Sequence, residues 1–174
     1  MKHTLILMCG VTQSGKSVFA RAIQDSHKDC IPIKRDNCRM YNSEDADTVD
    51  KRFYNAVNIA LKTHRYVVAN DRNINRLERD KFFNNVDYKG CEVVCVWVET
   101  PQNVAIARNK NRDAAHRLSE DDIAYMYKYK VSPQDEEPFD KILFISEQQN
   151  YAIGTNNMQI LPIIDQLKAI QFYN

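Results

Sequence analysis

One segment near the start of the chain constrains the fold more than any other. It reads Gly10-Val-Thr-Gln-Ser-Gly15-Lys16-Ser17, and the apolar run Thr4–Cys9 precedes it. The amphipathic pattern Lys16–Asp25 follows it, so a strand, a turn and a helix are predicted in that order. The glycines let backbone N–H groups converge, and the helix N-terminus adds partial positive charge. The segment therefore predicts a loop that binds phosphate.

Strand and helix patterns alternate along the rest of the chain. Such alternation predicts an α/β fold with a five-stranded parallel sheet, helices on both faces and ligands at the carboxyl ends of the strands. The predicted strands are Thr4–Cys9, Ile31–Lys34, Tyr66–Ala69, Glu92–Val98 and Lys141–Ile145. The predicted helices are Lys16–Asp25, Asp47–Thr63, Arg76–Val86, Pro101–Lys110, Ser119–Lys128 and Asn157–Ile170.

The length and net charge of the chain limit the kinds of protein that it can be. The chain has 174 residues, which fits one domain over residues 1–174, and its formal net charge is +1. No global field draws it to nucleic acid or to a membrane, so any polyanion must meet a local basic cluster. The five cysteines form no CxxC pair, which predicts reduced thiols and a cytoplasmic location. No membrane partner is expected.

The loop residues have separate expected tasks. Lys16 would reach the β and γ phosphates of a nucleoside triphosphate such as ATP, and Ser17 would hold Mg²⁺. The predicted contacts to ATP are Gly10, Thr12, Gln13, Ser14, Gly15, Lys16, Ser17 and Val18.

A charged cluster follows the second predicted strand. It contains Arg35, Asp36 and Arg39. Asp36 is placed to face the γ phosphate, where a carboxylate could take a proton from an acceptor hydroxyl. Together with Ser17 it is also a predicted Mg²⁺ ligand. Arg39 could hold an acceptor phosphate. The alternative is that Asp36 caps a helix and that the basic residues are solvated.

Two further clusters follow the third and fourth predicted strands. Asp71, Arg72 and Asn73 come directly after the third strand, where Asp71 could bind Mg²⁺ through water or cap a helix. Arg108 and Arg112 are four residues apart, so they would share a helix face in a lid over the triphosphate. The lid is expected at about residues 108–130. A solvated basic face is the alternative.

The clusters together resemble the kinase domain of the phage end-healing 5′-hydroxyl polynucleotide kinases, within the P-loop kinase fold. The resemblance covers most of Leu5–Lys130. It rests on the phosphate loop, on Arg35-Asp36-x-x-Arg39, on Asp71-x-Asn73-x-Asn75, on Arg108-Asn109-x-x-Arg112 and on Met126-Tyr127-Lys128.

The resemblance implies roles for these residues. Asp36 would be the general base for the 5′-hydroxyl of RNA or DNA, with Lys16 and Arg112 as the other catalytic residues. Arg39 would hold an acceptor phosphate, Arg108 would support Arg112 on the donor, and Asp71 would shape the site. Arg35, Arg72 and Asn73 complete the predicted substrate-binding set. Arg72 stands where the phage enzymes carry a small hydroxyl residue.

Two other functions remain open at this point. A related kinase could act on a nucleoside, nucleotide or other small hydroxyl compound, or the chain could be a non-catalytic ATP-binding switch. Tyrosines near the acceptor and lid segments could stack bases. They are Tyr41, Tyr125, Tyr127 and Tyr129. For Tyr125 and Tyr129, which share a helical face, a role in the core or in helix packing is the preferred interpretation.

Overall fold

The computed structural model describes residues 2–146, 151–154 and 160–162. These residues form a sheet of seven strands in the order β2-β3-β1-β4-β5-β6-β7. The strands are β1 (Thr4–Cys9), β2 (Cys30–Lys34), β3 (Tyr66–Asn70), β4 (Glu92–Glu99), β5 (Lys141–Ser146), β6 (Tyr151–Gly154) and β7 (Ile160–Pro162). The first five pair in parallel, and β6 and β7 pair antiparallel. The predicted five-stranded parallel sheet is confirmed, with two antiparallel strands added at one edge.

Helices cover both faces of this sheet. They are α1 (Lys16–Ser26), α2 (Ala46–Thr63), α3 (Arg76–Asn85), α4 (Gln102–Lys110) and α5 (Glu120–Tyr129). Alternate residues of β1 point to opposite faces. Leu5 and Leu7 join a core that includes residues of α2 and α3, whereas Ile6 and Met8 join a core that includes residues of α1. The sheet is therefore buried on both sides, as a parallel sheet requires.

Side-chain caps explain where three of these helices begin. Asp45 accepts a hydrogen bond from the N–H of Thr48, Asn75 from that of Glu78, and Ser119 from that of Asp122. Each bond satisfies a backbone donor that a helix N-terminus leaves without a partner. The start of α5 at the predicted serine cap is thus confirmed.

The helix predicted over Asn157–Ile170 is wrong where it can be compared. Ile160–Pro162 form β7 and pair with β6, and the other residues of that range lie outside the described residues. The free edge of β5 offers unpaired backbone groups, and the pairing of β6 along it satisfies them. A short apolar run cannot be assigned to helix or strand by periodicity alone.

Two further findings concern the chain as a whole. Among the described residues, no helix combines the length and apolar character that a membrane span requires. All five cysteines are free thiols, of which Cys9, Cys30 and Cys95 are buried.

The carboxyl ends of β1, β2 and β3 lie level with one another. Met8 is in register with Asn70, and Asn70 is in register with Lys34. The phosphate loop, the turn after β2 and the loop after β3 therefore meet at one edge of the sheet.

Candidate active site

The phosphate loop is shaped by its two glycines. Gly10 has φ 143°, and a Cβ at this position would lie 2.6 Å from the carbonyl oxygen of Val98. A larger residue would therefore collide with the backbone of β4. Gly15 has φ 98° and stands immediately before α1. The glycine spacing of the sequence thus follows from one close approach and one left-handed backbone conformation.

Residues after β4 brace this loop from outside. The hydroxyl of Thr100 donates to the carbonyl oxygen of Ser14 (3.0 Å). The hydroxyl of Tyr127 donates to the backbone carbonyl oxygen of Thr100 (2.5 Å). The guanidinium of Arg108 donates to the carbonyl oxygen of Gln13 (3.2 Å). Thr100 and Tyr127 were not predicted in this role, because no local pattern shows which hydroxyl reaches a distant carbonyl.

Lys16 is buried at the centre of the site. Its ammonium group donates to the carbonyl oxygens of Gly10 (2.8 Å) and Val11 (2.6 Å). Burial lowers the pKa of Lys16 to about 8, and the negative charges of Asp71 and Asp36 oppose that shift. The charges of both predicted carboxylates therefore reach Lys16 and raise its pKa. This agrees with the position of the three residues at the same edge of the sheet.

Ser17 has a neighbour that the sequence did not reveal. The side-chain amide of Asn70, which is buried at the end of β3, donates to the hydroxyl oxygen of Ser17 (3.3 Å). A hydroxyl and nearby carboxylates are oxygen ligands of the kind that Mg²⁺ prefers. The residues present thus fit the predicted ion. Among the described residues, no group of three or more His, Cys, Asp or Glu side chains is arranged to hold a metal ion by itself.

The turn after β2 carries the acceptor-side residues. Arg35–Cys38 form one 3₁₀ turn, and Asp36 is exposed on it. Arg35 points to α2, where its Nε donates to Asp50 Oδ1 (2.5 Å), and it lies 3.7 Å from Asp71 Oδ2. Its guanidinium therefore links the end of β2 to α2 and to the loop after β3.

Arg39 is half-buried beside the same turn. Its guanidinium donates to the backbone carbonyl oxygen of Glu44 (2.7 Å), and the Glu44 carboxylate forms an ion pair with Arg52 (2.6 Å). Arg52 on α2 is thus a second cation near Arg39. Sequence reasoning missed it because the helix that carries it starts beyond the motif.

The loop after β3 combines an acidic group with a supporting amide. Burial raises the pKa of Asp71, while the N–H of Arg72 and the guanidinium of Arg35 oppose that shift. The carbonyl oxygen of Arg72 accepts a bond from the N–H of Gly10 (2.8 Å), so this loop also supports the phosphate loop. Asn73 is buried at φ 47°, and its side-chain amide donates to the carbonyl oxygen of Met8 (3.2 Å).

A buried ion pair joins this loop to the chain that leaves α5. Arg79 and Glu137 have fully buried side chains and form two bonds, of 2.6 and 2.7 Å. Arg79 also donates to the carbonyl oxygens of Asn73 (3.1 Å) and Val131 (2.9 Å). The acceptor-side loop and the end of α5 are thus held through one guanidinium. No sequence signal marked this pair, because its members lie 58 positions apart.

The two lid arginines do not share a helix face, so that prediction is wrong. Helix α4 ends at Lys110, and Arg112 lies beyond it in a turn where its N–H donates to the carbonyl oxygen of Asn109 (3.1 Å). The side chain of Asn109 is buried and exchanges two hydrogen bonds with the backbone of Leu118. This amide closes the segment between α4 and α5, which ends the helix before it reaches Arg112.

Comparison with known proteins places the chain in a family. Residues 5–130 match the profile of the family described as the AAA domain. The chain belongs to this AAA domain family. The match runs from β1 through α5, so it contains the phosphate loop, the acceptor-side residues and the lid arginines. No curated protein sequence matches the chain.

Several solved structures share the fold at low sequence identity. A gluconokinase from Sinorhizobium meliloti 1021 has a TM-score of 0.57 at 18% identity, over 82% of this chain and 82% of that chain. A fungal RNA kinase has a TM-score of 0.62 at 13% identity, over 83% and 75%. Kti12 from Chaetomium thermophilum, solved with ADP-AlF3, has a TM-score of 0.64 at 14% identity, over 82% and 89%. The chain thus has a P-loop kinase-like fold.

Proposed function

We propose that this protein transfers the γ-phosphoryl group of ATP to the 5′-hydroxyl of a nucleic acid. The observation that carries the proposal is the position of Asp36. Its carboxylate is exposed and follows β2 at the same edge as the phosphate loop. Its negative charge raises the pKa of Lys16. A phosphate-binding module alone has no need of a second carboxylate on the acceptor side. A kinase needs one to accept the proton of the attacking hydroxyl.

Each residue then has a task in one balanced step. Asp36 takes the proton of the acceptor hydroxyl, whose oxygen bonds to the γ phosphorus as the bond to the leaving ADP oxygen breaks. Lys16 leaves the carbonyl oxygens of Gly10 and Val11 and binds the phosphates. Arg112 stabilises the charge of the transferred group. Mg²⁺, held by Ser17 with Asp36 nearby, would neutralise charge on the phosphate oxygens.

The choice of a nucleic acid acceptor is supported by Arg39 and by the motif around it. Arg39 lies beside the turn that carries Asp36, and its guanidinium can fork onto a phosphate of the acceptor. The spacing Arg35-Asp36-x-x-Arg39 resembles that of the polynucleotide kinases. The fungal RNA kinase with the same fold adds a precedent for such an acceptor.

A small-molecule acceptor is the second candidate. It is favoured by the gluconokinase with the same fold, and by a formal net charge of only +1. One arginine, Arg39, suffices to hold a single acceptor phosphate, so the site does not demand a long strand.

Transfer of label from γ-labelled ATP separates these candidates. We expect label on 5′-hydroxyl oligonucleotides, and loss of transfer in Asp36→Ala with ATP affinity nearly unchanged. Asp25→Ala, an exposed carboxylate at the end of α1, is the matched control and should transfer normally. If wild-type protein binds ATP but labels no oligonucleotide, the proposal fails. Label on a mononucleotide or sugar alone would establish the second candidate.

The proposed role of Arg39 is tested by measuring KM for the acceptor and for ATP separately. Arg39→Ala should raise KM for an acceptor that carries a 3′-phosphate and leave KM for ATP unchanged. Equal effects on both substrates would show that Arg39 acts on the fold of the turn, through its bond to Glu44.

A further inference from the structure

Two tyrosines on α5 form an exposed aromatic pair. Tyr125 is 63% exposed and Tyr129 is 44% exposed, and their ring centroids lie 4.4 Å apart with the planes tilted by 44°. The rings are therefore not core residues, and the part of the expectation that placed them in the core is wrong. The outward position leaves two adjacent aromatic rings accessible to another molecule.

The rotation of α5 explains why this pair faces solvent. Ile123 and Met126 are buried, and the hydroxyl of Tyr127 is fixed on the carbonyl oxygen of Thr100. Met126 packs with Val11 of the phosphate loop and with Ile74 of the loop after β3. These contacts use the inner face of α5. Because successive residues turn by about 100° in a helix, Tyr125 and Tyr129 lie on the other side.

The aromatic pair lies near the end of α5 that touches the acceptor side. The N–H of Val131, just beyond α5, donates to the carbonyl oxygen of Ile74 (2.7 Å). Ile74 belongs to the loop that begins with Asp71 and Arg72. Tyr129 therefore lies two residues before a backbone contact with the acceptor-side loop.

The charged side chains near the two rings indicate which class of molecule could bind to the pair. The ammonium of Lys128 lies 5.3 Å from the centroid of the Tyr129 ring, and Arg72 is exposed on the neighbouring loop. The acidic residues of α5 lie in its first turn, so Asp121 and Asp122 stand one turn before Tyr125, whereas the Tyr129 end of the pair carries Lys128. Exposed rings with a cation at the end nearest the loop after β3 suit a polyanion that carries flat bases.

We propose that Tyr125 and Tyr129 form a stacking platform for bases of a single-stranded acceptor, on the 3′ side of its 5′-terminal nucleotide. The inference rests on the proposed function and narrows its substrate class to single strands of several nucleotides. Each base offers a π-face, so the platform tolerates any sequence. A paired duplex hides its base faces and would gain little from it.

The test compares two acceptors, uridine 3′-phosphate and 5′-hydroxyl hexauridylate. Tyr125→Ala and Tyr129→Ala should each lower kcat/KM for hexauridylate on the order of tenfold, with a clearly smaller effect on uridine 3′-phosphate. Tyr125→Phe and Tyr129→Phe keep the ring and should keep the activity. Ile59→Ala, which truncates an exposed apolar side chain on α2, is the control and should match wild type.

Binding supplies a readout that does not need transfer. Fluorescence anisotropy of 3′-labelled hexauridylate, without ATP, should show affinity lost in the two alanine variants and kept in the phenylalanine variants. If affinity stays unchanged in all variants, the platform is overturned. Equal losses for both acceptors would also overturn it. So would dimers of wild-type protein that dissociate in the alanine variants by sedimentation, because the rings would then bind a second copy.

The two proposals fail in different ways. If wild-type protein transfers label to no acceptor while ring-dependent anisotropy persists, the kinase proposal fails and the platform stands. If label transfers and the rings have no effect on either measurement, the platform alone fails.

Discussion

The donor and acceptor sides of the sheet edge hold their charged groups differently. On the donor side, Gly10–Val18, the buried ammonium of Lys16 donates to carbonyl oxygens of its own loop. On the acceptor side, Arg35 pairs with Asp50 of α2, and Arg39 donates to the carbonyl oxygen of Glu44, just before α2. The ammonium of Lys16 is thus held within its own loop, whereas Arg35 is held by a helix. The donor loop as a whole is also contacted from other elements, by Asn70, Thr100 and Arg108.

The two sides therefore place different demands on the chain. The position of the Lys16 ammonium depends on backbone groups of its own loop, whereas the orientation of Arg35 depends on a carboxylate of α2. Substitutions on the two sides are expected to separate these contributions.

The lid arginine should give the largest effect. Arg112→Lys keeps the charge but loses the planar fork, so kcat should fall about 10³-fold while ATP affinity stays within about threefold. Steady-state transfer and ATP titration measure the two quantities. Arg117→Lys is the control. Arg117 donates a hydrogen bond to the carbonyl oxygen of Arg112, but it is not proposed to contact ATP. Equal losses in both variants would place the effect in the turn rather than in the guanidinium.

The buried pair that holds the acceptor-side loop should come next. Glu137→Gln leaves the Arg79 charge buried without its counter-charge, which should lower the free energy of unfolding by about 3–5 kcal/mol. Urea unfolding measures it. Glu136→Gln changes an exposed neighbour and should have little effect. If both variants unfold alike, the pair does not anchor the loop after β3.

Two of the glycines with positive φ, Gly10 and Gly90, have different surroundings and give a matched pair. Gly10→Ala should lower the free energy of unfolding by about 3 kcal/mol and abolish ATP binding, because the new Cβ would lie 2.6 Å from the carbonyl oxygen of Val98. Gly90→Ala, with nothing within 4 Å, should cost only about 1 kcal/mol and leave ATP binding intact. Calorimetry and ATP titration check both. Normal ATP binding by the Gly10 variant would refute the close approach.

The smallest effect concerns the pH dependence of ATP binding. Burial lowers the pKa of Lys16 to about 8, and the negative charge of bound phosphates would raise it again. Below pH 8 the lysine is charged in both states, so affinity should be constant. Above pH 8 binding must take up a proton, and affinity should fall toward tenfold per pH unit, about 1.4 kcal/mol. Titration calorimetry from pH 7 to 10 measures it, and constant affinity throughout would contradict the buried, depressed lysine.

Local sequence patterns predicted most of the secondary structure. The strand before the phosphate loop and the helix after it are where the pattern places them, and the proline before α4 and the serine before α5 mark helix starts. Such signals work because a cap or a glycine acts on its own backbone within a few residues. The helix predicted over Asn157–Ile170 was wrong because pairing along the free edge of β5 outweighs local propensity.

The sequence alone predicts a phosphate loop between a strand and a helix, and Asp36 after the next strand. Three other features become apparent only in the folded chain: the contact of Asn70 with Ser17, the pair of Arg79 with Glu137, and the exposure of Tyr125 and Tyr129. Periodicity reveals which residues share a face. It does not reveal what that face meets, because partners far apart in sequence are brought together only when the sheet and its helices pack.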